Sequence, residues 1–351
     1  MKIIIAMSGG VDSSVAAALL KEEGHEVSGM TMQLMPRNES ACGGLDAIED
    51  AKKVAHQLGI PHYVIDFRDI FARTVIDDFC QEYSLGRTPN PCVLCNKLIK
   101  FGALWEKAAE MGADFIATGH YACIERSENQ IYLKKGVDTK KDQSYFLCRL
   151  TREQLSHTLF PIGGLTKTKV RQIAREMGLP TAARPESQEI CFIPDDDYAG
   201  FLKGYLKQSS QPGPIMDEQG NILGEHQGIT AYTIGQRHGL GIATAEPLYV
   251  TAIAPDRNAV IVGTKAETYG TELVAGNLNW IASQKPDYTI NVKAKVRYRH
   301  PEAEATIAPL DNNEIFIKFT APQMAITPGQ TIAFYDGDTI IGGGTIIRQG
   351  R

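Results

Sequence analysis

An apolar run, Lys2-Ile3-Ile4-Ile5-Ala6-Met7, stops dead at Ser8-Gly9-Gly10 and passes at once into helix-patterned text over residues 13–23. Strand, glycine turn and helix in that order open a parallel α/β sheet. The unit then repeats. Strands are predicted at 3–7, 26–32, 62–67 and 114–118, and helices at 46–58 and 96–111. The helices stop at Gly24, Gly59 and Gly112. Ile48, Ala51, Ala55 and Leu58 share one face of the second helix. The fold class expected is therefore α/β, a doubly wound parallel sheet with right-handed connections.

The character of the chain changes further on. Residues 124–134 have hairpin text and 167–177 are helical, ending at Gly178-Leu179-Pro180. Beyond residue 208 helices become scarce, and Gln211-Pro212-Gly213-Pro214 reads as a linker or turn. Short alternating runs follow at 248–254, 259–263, 290–298, 315–319, 331–335 and 339–341. Asp311-Asn312-Asn313, Pro328-Gly329 and Asp336-Gly337-Asp338 punctuate them. That pattern predicts a small β-barrel. With 351 residues, the chain is long enough for three domains, expected at 1–200, a connecting unit at 201–270, and a barrel at 271–351.

Bulk chemistry narrows the function. The formal net charge is -5, which argues against a non-specific nucleic-acid coat but leaves room for a local basic patch. No apolar run has the length of a membrane span, and the N-terminal run is too short for a signal peptide. A cytoplasmic monomer is expected. Seven cysteines, an odd number, argue against a disulfide framework. Cys123 and Cys148 read as small core residues, and Cys42 and Cys80 carry no further signal.

Ser8-Gly9-Gly10-Val11-Asp12-Ser13-Ser14 is a phosphate cradle. Glycines turn successive N–H groups into one concavity, the helix N-terminus adds positive potential, and the serines offer hydroxyls. It lacks the Gly-Lys-Ser/Thr ending of a Walker loop and the spacing of a dinucleotide fingerprint. Without the lysine, pyrophosphate as a leaving group is a better reading than γ-phosphoryl transfer. Asp12 is placed to help hold Mg²⁺. The string resembles the PP-loop of the N-type ATP pyrophosphatases. That resemblance implies ATP binding by Ala6, Met7, Ser8, Gly9, Gly10, Val11, Asp12 and Ser13, with Met32 near adenine and Gly119 on the same sheet edge.

Asn90-Pro91-Cys92-Val93-Leu94-Cys95-Asn96-Lys97 joins a turn, a Cys-x-x-Cys pair and an expected helix start. A thiol at a helix N-terminus is stabilised as thiolate, and Lys97 and Lys100 would add positive potential, so Cys95 is a candidate nucleophile. Cys191, in Ile190-Cys191-Phe192-Ile193, reads alone as a core residue. Three uses of the thiols compete. A zinc site lacks a fourth ligand. A redox pair leaves the ATP loop unexplained. Sulfur transfer employs both the loop and two separated thiols.

These segments, with Thr118-Gly119-His120-Tyr121, Lys141-Asp142-Gln143-Ser144-Tyr145-Phe146-Leu147 and Tyr232-Thr233-Ile234-Gly235-Gln236-Arg237, resemble the tRNA-specific 2-thiouridylase family, in order and over nearly the whole chain. The resemblance implies thiolation at C2 of wobble uridine 34 in tRNAs for Lys, Glu and Gln. ATP would adenylate the C2 oxygen. Cys191 would carry a persulfide from a sulfur-relay donor protein, and Cys95 would close a transient disulfide with it. Asn90, Pro91, Cys92 and His120 would meet the target base. Lys141, Asp142, Gln143, Arg297, Tyr298 and Gln330 would contact tRNA. Cys92 departs from the family pattern, which has an Asp there. Cys92, Cys95 and Cys191 would make a three-thiolate ligand set for a [4Fe–4S] cluster taking sulfide, an alternative left open here. Lys293, Lys295, Arg297 and Arg299 alternate, as on one face of a strand whose other face, Val292, Ala294 and Val296, is apolar; this is a candidate track for RNA phosphates. Two other readings remain: a different adenylating PP-loop enzyme, and a nucleotide-gated tRNA-binding protein without chemistry.

Overall fold

The structure, a computed structural model, describes residues 1–35, 44–128, 130–185, 190–193, 197–206, 211–281 and 285–350. Cys42 and the Glu186-Ser187-Gln188-Glu189 string lie outside the described residues. The N-terminal sheet holds β1 (Lys2–Ala6), β2 (Glu26–Gln33), β3 (His62–Asp66) and β4 (Phe115–Ala117). After a hairpin, β5 (Ala122–Arg126) and β6 (Ile131–Lys135), β7 (Thr158–Leu159) adds the outer strand. The order is β3-β2-β1-β4-β7, and every pairing is parallel. The chain runs outward from β1 to β3, then returns to the other edge of β1. The topological switch point thus lies between β1 and β4, where ligands bind in open α/β sheets.

Pleating explains why both faces are covered. Ile3 and Ile5 join a buried cluster with Val15, Val54 and Val170, while Ile4 enters a separate one with Phe101, Leu104 and Ala108. Each of these isoleucines contributes roughly 1.5–3 kcal/mol by leaving water. The first helix, Val11–Glu22, starts directly after the glycine turn. The helix Leu45–Leu58 stops at Gly59, which takes the left-handed conformation (φ 61°).

The cysteine segment departs from expectation. Its helix begins at Pro91, not Asn96, and continues through π-helical turns at Asn96–Ala103 into Leu104–Glu110. Asn90 is the N-cap, its Oδ1 accepting from the Val93 N–H at 3.3 Å, and Pro91 fills the first position. Cys92 therefore occupies the first turn, and Cys95 lies a turn further in than the sequence reading placed it.

Four strands form the middle sheet: β8 (Gly213–Met216), β9 (Ile222–His226), β10 (Tyr249–Ala254) and β11 (Ala259–Gly263), in the order β10-β11-β8-β9. Part of the expected linker at 211–214 is thus strand. The remaining strands are β12 (Tyr269–Trp280), β13 (Ile290–Lys295), β14 (Ala303–Pro309), β15 (Ile315–Met324), β16 (Thr331–Asp336) and β17 (Thr339–Gln349). They run β12-β15-β14-β13-β16-β17, and a further β12–β17 pairing closes a six-stranded barrel. Leu273, Val292, Ile307, Ile317 and Phe334 fill it. The β5–β6 hairpin pairs with β17, Ile340 opposite Leu133, so a piece of the N-terminal half extends the barrel sheet.

The basic stripe does not survive as one face. Strand β13 ends at Lys295. Lys293 lies 3.6 Å from Glu304, and the Lys295 ammonium sits 5.5 Å from the Tyr298 ring centroid. Arg297 lies in the turn beyond the strand. Its Nη2 donates to the Ile234 carbonyl at 2.9 Å and to Thr327 Oγ1 at 2.5 Å, bridging the middle sheet to the barrel. Burial lowers the pKa of this guanidinium from its ordinary value.

Nearby, Gln330 Nε2 donates to the carbonyls of Thr88 and Pro89 at 2.9 and 3.1 Å, and the Thr88 N–H donates to the Pro328 carbonyl at 2.9 Å. The barrel thereby holds the segment that leads into the cysteine helix. Arg297→Ala is expected to lower stability by about 2–3 kcal/mol, because two buried acceptors lose a charged donor. An unchanged denaturant midpoint would contradict this bridging role.

Candidate active site

The loop after β1 has the geometry of an anion cradle. Gly9 adopts φ +71°, and a side chain there would collide with the Ala47 carbonyl. Gly10 precedes the helix as its N-cap residue. The Ser8 N–H donates to Ser13 Oγ at 3.2 Å, and the two hydroxyls lie 3.3 Å apart. Ser14 does not face the ligand side: it is buried and its hydroxyl donates to the Gly10 carbonyl at 2.8 Å. Val11 is buried in the core. Gly119, just beyond β4, approaches the loop so closely that a Cβ would sit 2.6 Å from the Ser13 nitrogen. Only glycine lets the two strand ends meet across the switch point. Arg184 completes the rim, its Nη1 3.0 Å from the Gly9 carbonyl, and pairs with Asp50.

From this cradle a cavity of about 290 Å³ runs toward the cysteine helix. Ala6, Met7, Ser8, Asp12, Ser13, Met32 and Gly119 line one end. Pro91, Cys92, Cys95, His120, Gln143 and Cys191 line the other, with Lys100, Phe71 and Val75. Cys95 is 7% exposed and shares an apolar cluster with Phe71, Phe79, Phe192 and the half-buried Cys191. Both thiols expected to react therefore face one chamber with the phosphate loop. Lys97 does not join them: with Asn90 it lines a second cavity of about 380 Å³, beside Arg87, Arg149 and the barrel. Burial and the neighbouring Arg149 lower its pKa. Elsewhere, burial pushes the thiols of Cys80 and Cys148 up to about 12 and raises that of Cys123, which makes all three poor nucleophiles at neutral pH.

Around the chamber's inner wall, roles divide between chemistry and scaffold. His120 Nδ1 lies 2.7 Å from Thr118 Oγ1, and the ring packs near Phe101 and Phe160. Burial, reinforced by Lys100, holds its pKa well below the ordinary histidine value, so it is a neutral hydrogen-bonding group. Gln143 Oε1 accepts from the Tyr121 N–H at 3.0 Å. Asp142 is committed to its own turn, accepting from the N–H groups of Gly136 and Ser144 and from the Ser144 hydroxyl. Lys141, Arg297, Tyr298 and Gln330 do not line the chamber. The Tyr298 ring lies 4.3 Å from that of Phe146, tilted by 39°, beside the core.

The sequence places Mg²⁺ beside Asp12 and a cluster on three thiols. Among the described residues, Asp12 is the one acidic residue lining the chamber. Both its oxygens are engaged by Lys167 Nζ, at 2.8 and 2.7 Å, and Tyr121 OH donates to Oδ1 at 2.7 Å. That does not fit a protein-built Mg²⁺ site. Cys92, Cys95 and Cys191 line the chamber together, but among the described residues no three His, Cys, Asp or Glu groups converge closely enough to hold a metal ion. A cluster spans wider sulfur separations than a single ion does, and iron quantification decides that alternative. Sequence reading missed Lys167 and Arg184. Thr166, a helix N-cap immediately before Lys167, was a legible local signal, but nothing in the sequence aimed either cation at the loop.

Comparison with known proteins follows the same layout. A tRNA methyl transferase HUP domain model matches residues 1–195, a tRNA methyl transferase PRC-barrel domain model 199–264, and an aminomethyltransferase beta-barrel domain model 270–346. The chain is 51% identical to tRNA-specific 2-thiouridylase MnmA 1 of Caldanaerobacter subterraneus subsp. tengcongensis, covering 100% of this chain and 99% of that protein. It is 51% identical to tRNA-specific 2-thiouridylase MnmA of Symbiobacterium thermophilum, covering 99% and 92%. The Acetivibrio thermocellus protein of that name is 49% identical, covering 98% and 99%. Among solved structures, the U34-tRNA thiolase NcsA from Methanococcus maripaludis with its [4Fe-4S] cluster has 22% identity and a TM-score of 0.37, over 53% of this chain and 60% of that one. A likeness that distant carries no argument about chemistry.

The buried neutral His120 sets a pH dependence. Below about pH 6.5 the unfolded chain takes up a proton at this position that the folded chain refuses, so stability falls as pH falls, by up to about 1.4 kcal/mol per pH unit. The pKa values of His62 and His300 are also lowered, chiefly by burial, and act in the same direction. His120→Gln is expected to flatten the fall between neutral and mildly acid pH in denaturant titrations. An unaltered slope would refute the assignment.

Proposed function

The chain belongs to the tRNA-specific 2-thiouridylase family and is an ATP-using tRNA 2-thiolating enzyme, and from that premise we propose how its own residues carry the reaction. Uridine 34 leaves the anticodon stack and enters the chamber, where Pro91, Cys92, His120 and Gln143 surround the base. Its O2 attacks the α-phosphorus of ATP. The bond from that phosphorus to the bridging oxygen breaks, pyrophosphate leaves with the electron pair, and the N3 proton passes to solvent. A carbonyl oxygen is a very poor leaving group, and AMP is a good one, so the carbon is now open to substitution.

Sulfur then arrives on Cys191 as a persulfide from a donor protein. The terminal sulfur attacks C2 and AMP departs. The Cys95 thiolate attacks Cys191 Sγ, which frees 2-thiouridine and leaves a Cys95–Cys191 disulfide for an external thiol to reopen. The observation that carries this reading is the single chamber shared by the phosphate loop and both sulfurs. The apolar cluster around Cys95 and Cys191 favours it too, since excluding water protects both the adenylate and the persulfide from hydrolysis. Neither Mg²⁺ nor an iron cluster enters these steps as a protein-held group; Mg²⁺ would arrive with the nucleotide.

The tRNA partners proposed are the Lys, Glu and Gln isoacceptors, and the enzyme acts as a cytoplasmic monomer. Its units are taken as 1–200, 201–270 and 271–351, the last lying against the tRNA. Lys141 and Tyr298 remain contact candidates. Asp142, Arg297 and Gln330 support the scaffold behind them. No described helix is long and apolar enough to cross a membrane.

Nucleoside mass spectrometry of tRNA incubated with ATP, Mg²⁺ and a persulfide donor tests the scheme. Cys95→Ser and Cys191→Ser are expected to abolish 2-thiouridine while AMP and pyrophosphate still form. Retention of the product by Cys191→Ser would refute the persulfide route. Iron-free protein and Cys92→Ser are expected to keep most of the activity. An absolute iron requirement, lost with Cys92, would restore the cluster alternative.

A further inference from the structure

The phosphate loop lacks a lysine of its own, yet one stands behind it. Lys167 opens the helix Lys167–Glu176, whose Val170 and Ala174 pack in the same buried cluster as Val11 and Val15 of the loop helix. Its backbone N–H donates to Asp138 Oδ2 at 2.9 Å, fixing the start of the helix. The side chain is 11% exposed, and its ammonium lies 5.7 Å from the Tyr121 ring centroid and reaches both carboxylate oxygens of Asp12. Asp12 in turn lines the chamber with Ser8, Ser13 and Gly119.

A carboxylate inside an anion cradle repels the polyphosphate it should admit unless its charge is cancelled. Lys167 cancels it, and does so from a position at the loop itself. We infer that Lys167 is the cation that receives the pyrophosphate end of ATP: it rests on Asp12 in the nucleotide-free protein and turns to the phosphates when they enter. As the bond from the α-phosphorus to the bridging oxygen breaks, the electron pair settles on pyrophosphate, and the ammonium stabilises that charge without giving up its proton. A helix far along the chain thus supplies what a Walker loop carries within itself.

This rests on the proposal that the loop takes the polyphosphate of ATP, and the test separates the two. Inorganic pyrophosphate, ATP and AMP are titrated calorimetrically against the full chain in EDTA. Lys167→Gln is expected to weaken pyrophosphate and ATP binding roughly tenfold to a hundredfold. AMP binding and nucleotide-free tRNA binding should not change, and Lys167→Arg should restore part of the loss. Asp12→Asn is expected to tighten pyrophosphate binding by releasing the lysine, and that gain should vanish when Lys167→Gln is added. If Lys167→Gln fails to fold, Lys167→Arg and the neutral pair Asp12→Asn/Lys167→Gln carry the cycle. Pyrophosphate binding that is indifferent to Lys167, or a gain from Asp12→Asn that persists without the lysine, would overturn the inference alone. Failure of the wild type to bind either ATP or pyrophosphate would overturn the nucleotide reading beneath it.

Discussion

Strand β1 is paired on both edges, with β2 on one side and β4 on the other, and the site hangs from that double pairing. Because both neighbours run parallel to it, the ends of all three strands open at the same edge of the sheet. The loop after β1 and Gly119 after β4 are then pressed together until no side chain fits between them. Shift β1 by one residue and Ile3 and Ile5 would exchange faces with Ile4, so the register is fixed by the two cores that these residues feed.

The chamber built on this edge has two chemical ends. Toward β1 it is made of backbone N–H groups, hydroxyls and Asp12, which Lys167 pairs from behind, a setting for phosphate. Toward the cysteine helix it is made of Phe71, Val75, Phe192 and the thiols, a setting that keeps water out. Adenylation and sulfur substitution ask for these different surroundings, and a single extruded base between them meets both. His120 sits near the junction and stays neutral, so it offers hydrogen bonds to a base without adding charge to the apolar end.

The barrel contributes at a distance. Its Pro328 and Gln330 hold Thr88 and Pro89, immediately before the Asn90 cap that starts the cysteine helix. Arg297 fastens the middle sheet to the same barrel turn through Ile234 and Thr327. Arg297 and Gln330, expected from the sequence to contact tRNA, thus also fasten parts of the chain to one another. A lysine or arginine reads as a solvated cation from composition alone; only its burial and its acceptors separate the two roles.

What the sequence determined by itself was local: the alternation of strand and helix, the glycine cradle, the Asn-Pro-Cys-x-x-Cys string, and the β-rich C-terminal half. Each depends on contiguous residues whose periodicity and turn chemistry act over one or two turns. The helix start at Pro91 was also legible, since Asn-Pro is a cap followed by a favoured first residue. Tertiary structure alone decided which cation serves the loop, how the hairpin joins the barrel, and where the four basic residues after Val292 point. Lys167 meets Asp12 across 155 residues and Gln330 meets Thr88 across 242. No pattern in one strand or helix encodes such meetings, because they follow from how separately folded layers pack, and packing selects partners by shape and burial rather than by spacing along the chain.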